Sequence, residues 1–415
     1  MIFFIMDWIA RIFDVKTPAV FGYYSTRMML AAMTSLILTI SLGPRFIKKL
    51  YELKIGDSIR SKAEKCDLLG ELHKNKKNTP TMGGALILFS MVASMLLWMD
   101  LTHVFTLILF LTTIVLGLLG ACDDYLKLRN KNAKGLSSRK KLLAQVIFGG
   151  CLALYLLVPA FNQALQFGEW FRPPVVKEYI SAKPLENASF SEHPIQASTI
   201  IPLQEYASRF YMPFFKDPLI TLSGGLAILA VLFIIFVVAG ASNAVNLTDG
   251  LDGLAAGCLI MTAACLALIA FVSNNIDIAR YLHILYIEGS GEIAIYLCAF
   301  IGACLGFLWY NGYPAQVIMG DTGSLALGGI IGVSAVLLKR EFLLGLVGGV
   351  FVAETLSVIL QVASYRLRNK KRIFLIAPLH HHFEYKGWPE TKVVIRFWII
   401  GLLLAILGLA SLKFQ

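Results

Sequence analysis

Residues 103–127 read HVFTLILFLTTIVLGLLGACDDYLK. The first 19 of these, 103–121, hold no Asp, Glu, Lys or Arg, and a helix needs about 20 mostly apolar residues to cross the hydrocarbon core of a bilayer. The stretch therefore predicts a membrane-spanning helix that stops on two adjacent carboxylates, Asp123 and Asp124, with Lys127 one turn further on. Similar windows recur over nearly the whole chain. With 57% hydrophobic and 15% charged residues among 415, water is excluded as the main solvent. The fold class expected is all-α, a polytopic membrane protein forming a single transmembrane domain over 1–415.

Ten spans are predicted: 23–43, 81–100, 103–121, 142–162, 219–240, 252–273, 291–310, 322–338, 341–363 and 393–413. An even number puts both termini on one side, and the basic residues say which. Loops 44–80, 122–141 and 364–392 hold ten, seven and seven Lys and Arg, a total of 24, and 241–251 and 311–321 hold none. The opposite set holds ten. The positive-inside bias makes the first set cytoplasmic and both termini extracytoplasmic, and it accounts for most of the +11 net charge. No soluble basic module interleaved with aromatics exists, so nucleic acid is not an expected partner. The N-terminus, 1–10, is apolar but short and reads as an interfacial helix. The scattered cysteines lack metal or disulfide spacing and read as small core residues. Segment 163–218, rich in Pro, Glu and Ser, reads as an extracytoplasmic insertion with short helical turns.

Polar chemistry gathers at the cytoplasmic ends of the spans, where buried charge is costly and tends to be kept for a task. Asp123 and Asp124 repel each other and gain nothing structurally as neighbours; a divalent cation or proton transfer would explain them, a solvated helix end being the alternative. In 246–253, NLTDGLDG, Asp249 and Asp252 would share one face of a helical turn, unless Thr248 or Asp249 caps the following helix. In 319–324, MGDTGS, backbone N–H groups at a helix start suit phosphate and Asp321 suits a hard cation, with simple N-capping as the rival reading. His380, His381 and His382 are consecutive and cannot converge on one tetrahedral zinc; imidazoles beside a phosphate fit better, near Lys370, Lys371 and Arg372. In 73–84, HKNKKNTPTMGG, lysines and hydroxyls precede a glycine pair and can hold a phosphate. Five acids, several cations and a histidine run on one membrane face point to an enzyme acting on a phosphate or pyrophosphate substrate, with Mg²⁺ held by carboxylates and substrate phosphates.

The strings TPTMGG (79–84), DDY (123–125), NLTDGLDG (246–253), YPAQ (313–316), GDTGSLAL (320–327) and APLHHH (377–382) match, in order and spacing, those of a known family. From about Arg27 to Phe414 the chain resembles the bacterial phospho-N-acetylmuramoyl-pentapeptide-transferases, of the polyprenyl-phosphate N-acetylhexosamine-1-phosphate transferase superfamily. The resemblance implies a Mg²⁺-dependent transfer of phospho-MurNAc-pentapeptide from UDP-MurNAc-pentapeptide to undecaprenyl phosphate. The products would be lipid I and UMP, in the first membrane step of peptidoglycan synthesis, at the bacterial inner membrane. It implies Asp123, Asp124 and Asp321 as core acids, Asp321 as the Mg²⁺ ligand, and His380, His381 and His382 as required for activity. Lys76, Thr81, Asn246, Asp249, Asp252, Gly320 and Gln361 would surround nucleotide and phosphates, with Lys127 offsetting charge. A homodimer is among the expected assemblies. Three departures stand out: Ile318 where many members carry Phe, Asn78 where Gly is usual, and a longer 163–218.

Two rivals are kept. One is a transferase using UDP-GlcNAc. The other is a proton-coupled transporter, which would place acids at span centres and show an inverted repeat; only Glu354 lies at such depth.

Overall fold

The computed structural model of the chain describes Ile12 and residues 19–53, 79–129, 135–180 and 197–413. Among them the long helices are α1 (Tyr24–Glu52), α2 (Gly84–Trp98), α3 (Val104–Arg129), α4 (Ser138–Leu157), α5 (Ala227–Thr248), α6 (Leu254–Ser273), α7 (Ser290–Asn311), α8 (Gly320–Leu337), α9 (Gly349–Leu367) and α10 (Glu390–Ala410). Each corresponds to one predicted span. Nine are long and apolar enough to cross a membrane. The tenth, α2, has 15 residues and reaches only about 22 Å at 1.5 Å per residue.

Several ends differ from expectation. α1 and α3 run on past 43 and 121 to Glu52 and Arg129, so Asp123, Asp124 and Lys127 lie on helix α3 itself. The span predicted at 341–363 is broken at Gly348 into a short helix, Glu341–Val347, and α9. Residues 249–253 form no helical turn: Asp249 terminates α5 at φ −77°, ψ 54°, and Gly253 has φ +77°. The expected N-terminal interfacial helix at 1–10 lies outside the described residues.

Segment 163–218 holds a short helical turn, as expected, but also strands that were not expected. Strands Val176–Ile180 and Ala197–Ile201 pair antiparallel, and Val176–Lys177 pairs with Tyr286–Ile287 from the α6–α7 connection. A ribbon of Arg209–Phe210 with Ile220–Thr221 follows a short helix, Leu203–Ser208. Val, Tyr and Ile in VKEYI and Thr-Ile-Ile in ASTII favour the pleated surface; at five residues each the strands were too short to show against the polar background.

The helices assort by what their surfaces carry. α8 is buried nearly all round, 89% of its membrane window being inside. It packs on α3 and α5, while α7 packs on α1, α2 and α6. Between apolar helices in lipid, association depends on close backbone approach at small residues, and α8 supplies five glycines over 18 residues. A methyl on Gly328 would lie 2.5 Å from the Ala241 carbonyl of α5. At the end remote from the acids, buried Arg27 of α1 pairs with Glu292 of α7 at 2.7 Å and donates to the Trp98 carbonyl of α2. A buried pair of this kind is weak evidence for stability, but it ties three helices in one register.

Candidate active site

Asp321 sits in the first turn of α8, and three neighbours fix that turn. Strand-like bonds hold the chain before α2 against the chain before α8: Ile318 N–H to Pro80 O, Gly83 N–H to Ile318 O, and Gly84 N–H to Met319 O, at 2.8–2.9 Å. Thr81 is thereby carried beside Gly320. Asp124 then reaches across from α3. Its Oδ2 accepts from the Thr322 N–H at 2.9 Å and the Thr322 hydroxyl at 2.7 Å, and its Oδ1 accepts from the Asp321 N–H at 3.3 Å. Asp124 is thus an N-cap supplied by another helix, a charge-assisted arrangement of roughly 1.5–3 kcal/mol per bond. Gly320 has φ +73°, and a Cβ there would stand 3.0 Å from Asp124 Oδ2, so a side chain would disturb both backbone and cap. Asp321 therefore does not cap its own helix, and its carboxylate is left for other partners.

Those partners are cations and an amide. Lys141 Nζ, from the first turn of α4, lies 2.6 Å from Asp321 Oδ2 and 3.0 Å from Asp123 Oδ2. Lys127 Nζ lies 2.6 Å from Asp123 Oδ2, 3.0 Å from Asp321 Oδ2 and 3.7 Å from Asp124 Oδ1. Asn246 Nδ2, on α5, donates to Asp321 Oδ1 at 3.0 Å and to Ser324 Oγ at 2.8 Å. Asp123 is fully buried, and its Oδ1 accepts from the Leu136 N–H at 2.7 Å. Oxygens of Asp123, Asp124 and Asp321 lie within 4.8 Å of one another, a hard-donor set of the kind that suits Mg²⁺. Three carboxylates face two ammonium groups, so the cluster is close to neutral without any ligand.

The histidines point in three directions, as consecutive residues must. They begin a short helix, Leu379–Tyr385. Buried Glu354 of α9 accepts from the Leu379 N–H at 2.7 Å and the His380 N–H at 3.1 Å, and its Oε2 is 3.2 Å from His380 Nδ1. His380 is itself buried and packs on Gly250, where a Cβ would meet Nε2 at 2.2 Å. His381 Nδ1 is 2.7 Å from Glu384 Oε2. His382 Nδ1 accepts from the Leu375 N–H at 3.2 Å; burial, with the Lys386 ammonium, holds this imidazole below its ordinary pKa.

Other expected site residues have different neighbours. Asp252 is buried, accepts from the Ala315 N–H at 3.0 Å, and its own N–H donates to Glu390, bracing the α7–α8 connection. Gln361 accepts from the N–H groups of Ile373 and Phe374 and donates to the Phe374 carbonyl. Asp249 ends α5, half-buried, one residue before Gly250. Lys76 lies outside the described residues. Sequence reasoning missed Lys141, which merged into a basic flank; Thr322 lay inside a noted motif and Glu354 stood out as an acid at span depth, but their anchoring roles were not read from either signal.

The helical membrane bundle with its buried carboxylate–lysine cluster matches, over residues 194–339, the family model of glycosyl transferase family 4. Over its whole length the chain is 68% identical to the phospho-N-acetylmuramoyl-pentapeptide-transferase of Protochlamydia amoebophila, with all of both chains covered. It is 42% identical to the enzyme of that name from Maridesulfovibrio salexigens and 43% identical to that of Thermodesulfovibrio yellowstonii, with 95% of each chain covered. The chain belongs to the phospho-N-acetylmuramoyl-pentapeptide-transferase family.

Proposed function

We propose that the protein transfers phospho-MurNAc-pentapeptide from UDP-MurNAc-pentapeptide to undecaprenyl phosphate, releasing UMP. The observation that carries the reading is the Asp123–Lys127–Lys141–Asp321 cluster, set where membrane helices end and a lipid phosphate can meet a soluble nucleotide. A lipid phosphate oxygen attacks the sugar-linked phosphorus, a new P–O–P linkage forms, and the bond to the UMP oxygen breaks with its electron pair leaving on UMP. Both reactants are anions, so positioning and charge neutralisation dominate the barrier. Lys127 and Lys141 provide fixed positive charge. Asp124 is committed to the backbone of α8, which leaves Asp123 to accept the lipid-phosphate proton or to attack as a nucleophile. Trapping a phosphoenzyme with donor alone distinguishes those two routes.

Mg²⁺ belongs to the same reading: Asp321, supported by Asp123 and Asp124, would hold it, and it would supply charge neutralisation at the pyrophosphate. The catalytic end would face the cytoplasm of a bacterial inner membrane, as the basic loops favour, and a reporter fused after Lys371 should report that side. The deciding assay is UMP release by the purified full chain. It should require undecaprenyl phosphate, prefer the MurNAc-pentapeptide donor over UDP-GlcNAc, and fall by about 10²–10³ in Asp321→Asn, as for loss of a central electrostatic group. Lipid-independent multiple turnover, beyond the one equivalent of UMP that a phosphoenzyme would release, or indifference to the donor sugar, would refute the assignment.

A further inference from the structure

At the end of the bundle opposite the acids, the turn between α8 and the short Glu341–Val347 helix carries three consecutive charges, Lys339, Arg340 and Glu341, all buried. Lys339 Nζ pairs with Glu341 Oε1 at 2.6 Å, donates to the Ala207 carbonyl and lies 4.1 Å from the Phe210 ring centroid. Arg340 is different. It is 7% exposed, and among the described residues its guanidinium makes no close ion pair or hydrogen bond; the Glu341 carboxylate acts on it only at longer range, and it lies 5.9 Å from the Tyr211 ring centroid. Burying a guanidinium without an anion is expensive.

The guanidinium lines a small cavity of about 40 Å³, open to solvent, formed with Lys216, Arg280, His283, Glu178 and Asp217. Glu178 is already engaged by Arg209 at 2.8 Å, and Arg280 by Asp277 at 2.8 Å. Glu341 is likewise engaged by Lys339, so of the charges lining the cavity Arg340 and Lys216 face Asp217, a local excess of positive charge beside an open volume. The rim supplies a second, independent indication. Phe214, Phe215, Leu219 and Tyr281, flanking Lys216 and Arg280 in sequence, are 40%, 59%, 52% and 67% exposed. Exposed aromatic and aliphatic side chains beside cations, at the end of a membrane helix bundle, are suited to the headgroup level of a bilayer. A guanidinium fork matches a phosphate bidentately.

We propose that this cavity binds a phosphate oxyanion, presented by the headgroup of an anionic glycerophospholipid in the leaflet at that end, with Arg340 as the buried contact and Lys216 as the rim contact. The test uses the detergent-purified full chain, titrated with phosphatidylglycerol in mixed micelles and, separately, with inorganic phosphate. Melting temperature and lipid retention by native mass spectrometry are the readouts. Phosphatidylglycerol should raise the melting temperature and be retained, and Arg340→Gln and Lys216→Gln should each weaken this roughly 10-fold, as for loss of one charged hydrogen bond. Lys216 is exposed, so Lys216→Gln keeps the test valid should Arg340→Gln fail to fold, and it should leave transferase turnover unchanged. An Arg340-dependent response to inorganic phosphate alone would support the oxyanion site and overturn its assignment to lipid. Equal responses of wild type and both variants to both probes would overturn the site altogether.

Discussion

Gly120 sets the distance between α3 and α8, and substituting it tests whether the site depends on that distance. A Cβ on Gly120 would stand 2.2 Å from the Asp321 carbonyl oxygen, 2.6 Å from its carbonyl carbon and 2.6 Å from Thr322 Cα. All three are backbone atoms, so no side-chain rotation relieves the clash. Restoring an ordinary contact of 3.4 Å requires the two helices to part locally by about 1.2 Å. That displacement acts on the turn that carries Asp321, whose contacts to Lys141 and Lys127 are 2.6 and 3.0 Å. A misplacement of about 1 Å can cost about 10²-fold in rate, and overpacking of this kind costs roughly 1–3 kcal/mol in stability. Gly120→Ala should therefore lower kcat about 100-fold while the protein still purifies as a folded species with a lowered melting temperature. Gly240→Ala in α5, where a Cβ meets nothing within 4 Å, is the matched control and should behave as wild type. Near-normal turnover in Gly120→Ala would refute the claim that α3–α8 spacing governs the acid cluster.

Three further outcomes are expected. Lys141→Gln should reduce kcat by two orders of magnitude or more, because it removes a charge shared by Asp123 and Asp321; steady-state UMP release measures it, and a change confined to KM would instead mark a ground-state contact. Glu354→Gln can accept from the Leu379 and His380 N–H groups through only one oxygen, so it should lower kcat severalfold, with Glu354→Ala falling further; equal activity of all three would show that the histidine helix needs no such anchor. Ile318→Phe should lower the KM for the UDP donor several-fold with kcat nearly unchanged, since a base–aromatic stack is worth about 1–3 kcal/mol and lies away from the reacting phosphorus; a raised KM would place another ring in that position.

The spans were legible because each is a continuous apolar run, and lipid demands such runs wherever backbone crosses it. Helix ends were less so: α3 continues through Asp123 and Asp124 to Arg129 because, besides Lys127 one turn on, the acids find Thr322 and Lys141, partners that no local window displays. The acids of the site were visible as charges placed where charge is costly. Lys141 was not, since a lysine among other basic residues at the end of a span already has an explanation in the positive-inside bias. Asp252 lies in a motif as conspicuous as that of Asp321 and Gln361 was expected from the resemblance, and the structure gives both polar partners in the backbone of neighbouring loops that no sequence pattern indicated. The strands of the 163–218 segment escaped notice because five-residue runs carry little periodic signal, and one partner strand lies about a hundred residues away.

The grip of α9 on the histidine segment has a mechanical meaning. Glu354 holds residues 379–380, Gln361 holds 373–374, and Ser364 Oγ donates to the Lys371 carbonyl, so one helix carries the loop at three points along its length. That helix is separated from its short predecessor by a break at Gly348, and only 28% of its membrane window is buried in protein, leaving most of its surface to lipid. The histidines are in effect mounted on a lever whose outer side is the bilayer. Whatever displaces α9 therefore carries residues 371–380 with it, because among the described residues the loop has no independent hydrogen-bonded mounting along that stretch.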